Sequence, residues 1–296
     1  MSTLPQMSNQ TRGILLMIAT IFTFTVMDAI AKGLSQSMDT IQVIWARYTG
    51  QTVMVTLLIL PRLRSTLRTR YPLLQGLRAL LLLGATSFFF FALARIGLAE
   101  ATAIMDISPV MITLGAALFL GEKFGPRRAF GVCAALAGAL IIIRPGSGVF
   151  SPYAVLPLAA AVCYSGYTLA TRFVGASESV WTSLFYTGAL GTVVLSLVVP
   201  FVWVTPSLAD AGLMVAVGLV GGLGQLMMIR ALSLAEASLL APFVYTGLMF
   251  ATLWGALFYG EFPDALTLLG GFVIVAAGLY VWLRETQPQQ KAGAPQ

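Results

Sequence analysis

The chain has 296 residues, 58% of them hydrophobic and only 9% charged, with a formal net charge of +6. A soluble domain carries roughly a quarter charged residues, so this surface is not made for water. The chain has no histidine and two isolated cysteines, Cys133 and Cys163. That removes the commonest general base and any zinc-ligand set, and no metal or cofactor is expected. No Gly-x-x-x-x-Gly-Lys-Ser/Thr loop occurs, so ATP is not the expected energy source.

Apolar stretches long enough to cross a bilayer, about 20 residues each, follow one another along the chain. They fall near Gly13–Lys32, Thr40–Leu60, Leu73–Ala94, Thr102–Leu120, Arg127–Arg144, Pro152–Arg172, Val180–Phe201, Leu208–Ile229, Ser238–Tyr259 and Asp264–Leu283. The first is too long for a signal peptide, has no small-residue cleavage site beyond it, and is expected to be retained. The expected fold is therefore an all-α integral membrane protein of ten transmembrane helices.

The basic residues report the orientation. With the N-terminus in the cytoplasm, thirteen of the Lys and Arg residues fall inside, among them Arg12, Arg62, Arg64, Arg68, Arg70 and Arg78. Lys32, Arg95 and Arg144 fall outside, and Arg47 lies within a span. That bias predicts cytoplasmic termini. The Arg62–Arg78 group reads as a topology anchor on anionic lipid, not as a nucleic-acid patch. The two cysteines, both in apolar spans, read as packed thiols.

The chain nearly repeats itself. Tyr48-Thr49-Gly50 returns 138 positions later as Tyr186-Thr187-Gly188, and Leu98-Ala99-Glu100-Ala101 returns 136 later as Leu234-Ala235-Glu236-Ala237. Lys32 matches Arg172, Gly121-Glu122 matches Gly260-Glu261, and Gly131 and Gly138 match Gly271 and Gly278. Five spans per half is an odd number, so the halves enter the membrane from opposite sides as an inverted repeat. The expected organisation is an N-terminal tail at 1–11, repeats at 12–147 and 148–284, and a disordered Gln/Pro/Ala-rich tail at 285–296.

Ten spans in two repeats, a proline in the fourth and ninth (Pro109, Pro242) and a Gly-Glu closing each resemble the drug/metabolite transporter superfamily. The nearest branch is the EamA-type bacterial exporters. The resemblance covers about Arg12 to Leu283. The size and aromatic interior are similar to the aromatic and neutral amino-acid exporters of that branch. The resemblance implies a secondary transporter, not an enzyme, with a central cavity between the halves and alternating access. Its partners would be the bilayer, a small solute such as an amino acid and, in a coupled version, protons. An uncoupled channel or facilitator and, behind it, a membrane-embedded enzyme are the rival readings.

Charges within spans cost at least about 2.5 kcal/mol each at mid-helix, so few are expected to face lipid. Here they are Asp28, Arg47 and Asp106. At about 1.5 Å per residue, Asp28 and Asp106 lie roughly 6 Å from the outer ends of their spans and Arg47 roughly 10 Å. All three share one level. As a functional set, Arg47 would meet a substrate carboxylate and an Asp an ammonium, or an Asp would carry a coupling proton. As a structural set, they would be a buried pair and a partly wet carboxylate holding helices together.

The second half has Thr168 and Phe185 at the Asp28 and Arg47 positions, and Pro242 near the Asp106 position. The inner half of the cavity is therefore expected to be neutral and aromatic. Tyr164 and Tyr167 share a helix face, and Gln225 and Tyr245 are single polar groups in apolar runs; each is a candidate lining residue or an interhelical hydrogen-bonder. Pro109 and Pro242 are expected as mid-helix kinks or hinges beside the cavity. Of Phe88 to Phe91, which cover every face of their helix, one or two at most would line it. Trp45 and Trp181 read as interface anchors. Glu100, Glu122, Glu236 and Glu261 read as helix-end residues.

Overall fold

The computed structural model describes residues 9–120, 126–143, 151–174, 178–235, 240 and 243–292. Among these the protein is entirely helical. The helices are α1 (Asn9–Ser37), α2 (Thr40–Ile59), α3 (Leu63–Thr66), α4 (Pro72–Leu93), α5 (Leu98–Met105), α6 (Ser108–Leu120), α7 (Pro126–Ile143), α8 (Leu156–Val174), α9 (Val180–Val198), α10 (Leu208–Leu234), α11 (Thr246–Tyr259) and α12 (Ala265–Ala292). Long helices cross alternately, so the bundle has a near face, carrying Asn9, and a far face, carrying the α1–α2 turn.

Each turn is fixed locally. Asp39 and Ser179 cap α2 and α9 by accepting the backbone N–H two residues on, at 2.8 and 3.2 Å. Pro72 opens α4, where a missing N–H costs nothing. Gly260, at φ 63°, closes α11 in the left-handed conformation, and the Glu261 N–H reaches back to the Gly255 carbonyl at 3.0 Å.

Helix pairing follows the inverted repeat. The first span, α1, packs on α10, and its repeat partner α8 packs on α4, the partner of α10. The self-matching pairs α2–α9 and α7–α12 also pack together. Backbones meet closely where α2 crosses α10: a Cβ on Gly218 would lie 2.6 Å from the Gly50 Cα. The outside of the bundle is apolar, with Leu57, Leu73, Leu197, Phe201, Leu208 and Phe272 all exposed. Water would not favour such a surface, and a bilayer does.

Three expectations change. The fourth span is not continuous: α5 ends at Met105 and α6 starts at Ser108, with Asp106 capping the break. Pro109 lies in the first turn of α6, where its missing N–H is an orphan anyway, so the proline begins a half-helix instead of kinking a whole one. Arg78 is not a loop anchor but fully buried in α4. Helix α12 runs to Ala292, past Gln287, where composition predicts an irregular tail. Pro242, Glu122, Lys123, Arg144 and Glu236 lie outside the described residues.

Candidate functional site

The helices that cross at mid-bundle line a cavity of about 140 Å³. Its polar lining includes Asp28 from α1, Arg47 from α2, Thr86 from α4, Asp106 at the α5–α6 break, Tyr164 from α8 and Gln225 from α10, with Thr25, Thr102 and Ser108 beside them. Phe24, Phe89 and Phe90 supply an aromatic wall. The structure thus brings together the three charged residues picked out by depth. The two aspartates lie deeper than expected, because α1 continues to Ser37 and α5 begins at Leu98. Both Asp residues are then eight or nine residues from the far-face helix end, roughly 12 to 14 Å.

The three do not pair. Asp28, Arg47 and Asp106 are 8%, 2% and 4% exposed. Among the described residues the ion pair within 4 Å is Lys32–Glu261, and none joins these three. Arg47 leaves Nε and Nη1 without hydrogen-bond partners, and Asp106 leaves Oδ2 without one. The Arg47 guanidinium lies 4.4 Å from the Tyr48 ring centroid, and the Tyr48 hydroxyl and Thr86 Oγ1 are 3.1 Å apart. The aromatic face steadies the arginine, while Nε and Nη1 stay without partners. Buried groups of this kind are costly without a partner, so the arrangement suits a ligand that supplies opposite charges.

The remaining residues divide. Tyr164 lines the cavity and donates to Met228 Sδ at 3.4 Å. Tyr167 stands behind the wall, its ring 6.2 Å from that of Tyr164, and accepts from Gln225 Nε2 at 2.5 Å. Tyr245 is buried in the turn before α11, its hydroxyl without a partner against Gly278. Pro109 lies one turn beyond Asp106, outside the cavity lining.

Sequence reasoning passed over two features. Lys32, counted as an outer charge, is buried at the far face and paired with Glu261, which was read only as a helix-end residue. Arg78 introduces a positive charge into a near-face half expected to be neutral. Its signal was Gln75, one turn before it on the same helix face.

The family follows from comparison with known proteins. A model described as the EamA-like transporter family matches residues 11–144 and again 151–283. The chain belongs to the EamA-like transporter family. It is thus a multi-pass membrane protein of the drug/metabolite transporter superfamily, with that family's two-repeat architecture. It is 35% identical to the pseudopaline exporter CntI of Pseudomonas aeruginosa over 90% of this chain and 94% of that one. It is 30% identical to a riboflavin transporter of Rhizobium johnstonii over 77% and 76%. It is 25% identical to an S-adenosylmethionine uptake transporter of Rickettsia bellii over 89% and 91%. A solved crystal structure matches with a TM-score of 0.64 over 94% of this chain and 98% of its own, at 22% identity, which supports the fold alone.

Proposed function

We propose that this EamA-family protein exports a small zwitterionic metabolite, a neutral or aromatic amino acid or a derivative of one, by alternating access through the cavity between its repeats. The observation that carries the reading is the unpaired set in one lining: Arg47 with two unpartnered nitrogens, Asp106 with an unpartnered carboxylate oxygen, and Asp28. Arg47 would hold the carboxylate and Asp106 or Asp28 the ammonium. The phenylalanine wall would take an apolar side chain.

The export direction is supported by the likeness to the pseudopaline exporter; other relatives are named as uptake transporters or as transporters without a direction. The positive-inside bias supports cytoplasmic termini, which makes the near face the cytoplasmic one. Small-molecule sites usually measure at least about 300 Å³, so the cavity must widen to load. A carboxylate without a protein cation would take a proton when the ammonium leaves, which supports proton exchange as the driving force.

The test is counterflow in proteoliposomes with labelled amino acids. Saturable, trans-stimulated uptake of at least one neutral or aromatic amino acid is expected. Absence of exchange for the whole panel would remove the amino-acid reading, and flux that neither saturates nor shows trans-stimulation would favour a facilitator.

A further inference from the structure

A second buried arginine lies on the same helix faces as the cavity, on its near-face side. Along α4 the cavity is lined by Phe89, Thr86, Ala85 and Leu82. One turn further toward the near face, on that same stripe, comes Arg78, and then Gln75. Along α8 the stripe runs from Tyr164, in the lining, through Tyr167 and Thr168 to Thr171. Arg78 and Gln75 are both 0% exposed.

Their hydrogen bonds leave a defined deficit. Arg78 Nη1 donates to Gln75 Oε1 at 2.6 Å and Arg78 Nε to Thr171 Oγ1 at 3.0 Å. Arg78 Nη2 and Gln75 Nε2 have no partner. Among the described residues no acidic group lies within 4 Å of Arg78. Both unmet groups are donors, one of them on a permanent cation. An arginine kept only to join helices would have its remaining donors satisfied, whereas this pair lacks an anionic acceptor.

Tyr167 connects the pair to the cavity. Its ring centroid lies 5.5 Å from the Arg78 guanidinium, and it contacts Tyr164 and Gln225, which line the cavity. Tyr167 therefore stands between Arg78 and the central space. A shift of this one ring, with release of Gln225, would open Arg78 to a solute held at Arg47.

We propose that Arg78 and Gln75 form a second carboxylate-binding station, between the cavity and the near face, which the solute's carboxylate occupies on its way to or from Arg47. The proposal rests on the reading that the solute carries a carboxylate. The guanidinium supplies one N–H through Nη2 and the amide of Gln75 the second, a two-point grip on one carboxylate. Two arginines at different depths would then pass the anionic group along the path, and neither needs to hold it tightly.

The probe is sodium propionate, compared with sodium chloride at equal ionic strength and pH, with thermal unfolding of the detergent-purified full chain as readout. In an Arg47→Gln background, which removes the central station, propionate is expected to raise the unfolding midpoint by about 2–4 °C near saturation. Adding Arg78→Gln should abolish the rise. Gln75→Glu gives a variant in which folding is not at risk: its carboxylate fills the deficit from within, so the basal midpoint should rise and the propionate effect vanish. No propionate effect in the Arg47→Gln protein overturns the station, and so does an effect that survives Gln75→Glu. A propionate effect that depends on Arg78 in a protein exchanging no amino acid would leave the station in place and remove the amino-acid reading instead.

Discussion

Lys32 and Glu261 join the two repeats at the far face, Nζ to Oε1 at 2.8 Å. The same ammonium donates to the Leu93 and Ile96 carbonyls at 3.0 and 2.6 Å, so all three of its protons are used. The second Glu261 oxygen accepts the Leu98 N–H at 2.9 Å, at the start of α5. Beside them the Tyr259 hydroxyl donates to the Ala29 carbonyl. One carboxylate thus holds both α1 and the half-helix that ends in Asp106. Lys32→Ala or Glu261→Gln should weaken far-face closure by about 2 kcal/mol, roughly a 30-fold shift toward the far-face-open state. In a Cys133→Ser, Cys163→Ser background, a Phe89→Cys thiol should react faster with an impermeant maleimide added at the far face. The charge-reversed pair Lys32→Glu with Glu261→Lys should not restore closure. The Leu93 and Ile96 carbonyls would repel a carboxylate, and the Leu98 N–H would face an ammonium. Equal labelling rates in all variants would remove the clasp from gating.

This clasp was only half visible in the sequence, and the reason is instructive. Lys32 and Glu261 belong to the repeat pattern, which assigns them matching positions but says nothing about which half each one touches. The scaffold was legible because charges are rare in spans and the repeat has near-constant spacing. Depth along a helix also brought Asp28, Arg47 and Asp106 to one level. What depth does not give is pairing: whether three buried charges neutralise one another depends on side-chain direction between helices. Arg78 was misplaced for a related reason. Counting basic residues by cluster grouped Arg78 with the loop arginines although the third span already contained it, and the α4 start at Pro72 puts it nearly two turns inside. The break at Asp106 was missed because Pro109 was read as a kink, although proline is equally at home in a helix's first turn.

The unpaired charges of the cavity give a graded expectation. Arg47→Ala should lower transport at least tenfold at subsaturating solute, since a lost charge-assisted hydrogen-bond pair is worth about 1.5–3 kcal/mol. The amount of folded protein should change little or rise, because the orphan N–H groups leave with the side chain. Size-exclusion profiles beside initial rates separate the two effects. Loss of folded protein in step with transport would make Arg47 a structural residue.

Asp106→Asn distinguishes proton exchange from simple facilitation. The amide keeps the size of the side chain and gives up the ability to cycle between charged and neutral forms. If Asp106 alternately holds the solute's ammonium and a proton, the variant should retain solute–solute exchange but lose the response to an imposed pH gradient. The wild-type protein should acidify or alkalinise the lumen with solute, and the variant should not. A full gradient response in the variant would move the proton to Asp28 or out of the mechanism.

At the α2–α10 crossing, Gly218→Val should be among the most damaging substitutions outside the cavity. Even a Cβ at this position would meet the Gly50 Cα at 2.6 Å and the Ala46 carbonyl oxygen at 2.9 Å, and backbone cannot yield as a side chain does. Overpacking of this kind costs about 1–3 kcal/mol. The yield of monodisperse protein should fall, whereas Gly212→Ala, with open space around it, should be neutral. Similar yields for both would contradict the close approach.

Tyr245 allows packing and binding to be read apart. Its hydroxyl is buried without a partner and occupies the place that a Cβ on Gly278 would take. Gly278→Ala alone should therefore destabilise the α11–α12 region. Tyr245→Phe removes the hydroxyl, and since that group makes no bond in this state, stability should be unchanged or slightly higher. Combined, the two substitutions should recover only part of the yield lost in Gly278→Ala, because the ring carbon Cζ would still lie 2.6 Å from the new methyl. Transport then supplies the second reading. If the hydroxyl meets the solute once the cavity widens, Tyr245→Phe should raise the half-saturating concentration severalfold at normal stability. If transport of Tyr245→Phe matches wild type while the double variant folds, Tyr245 is a packing residue, and the site contracts to Asp28, Arg47, Asp106 and the Tyr164–Gln225 wall.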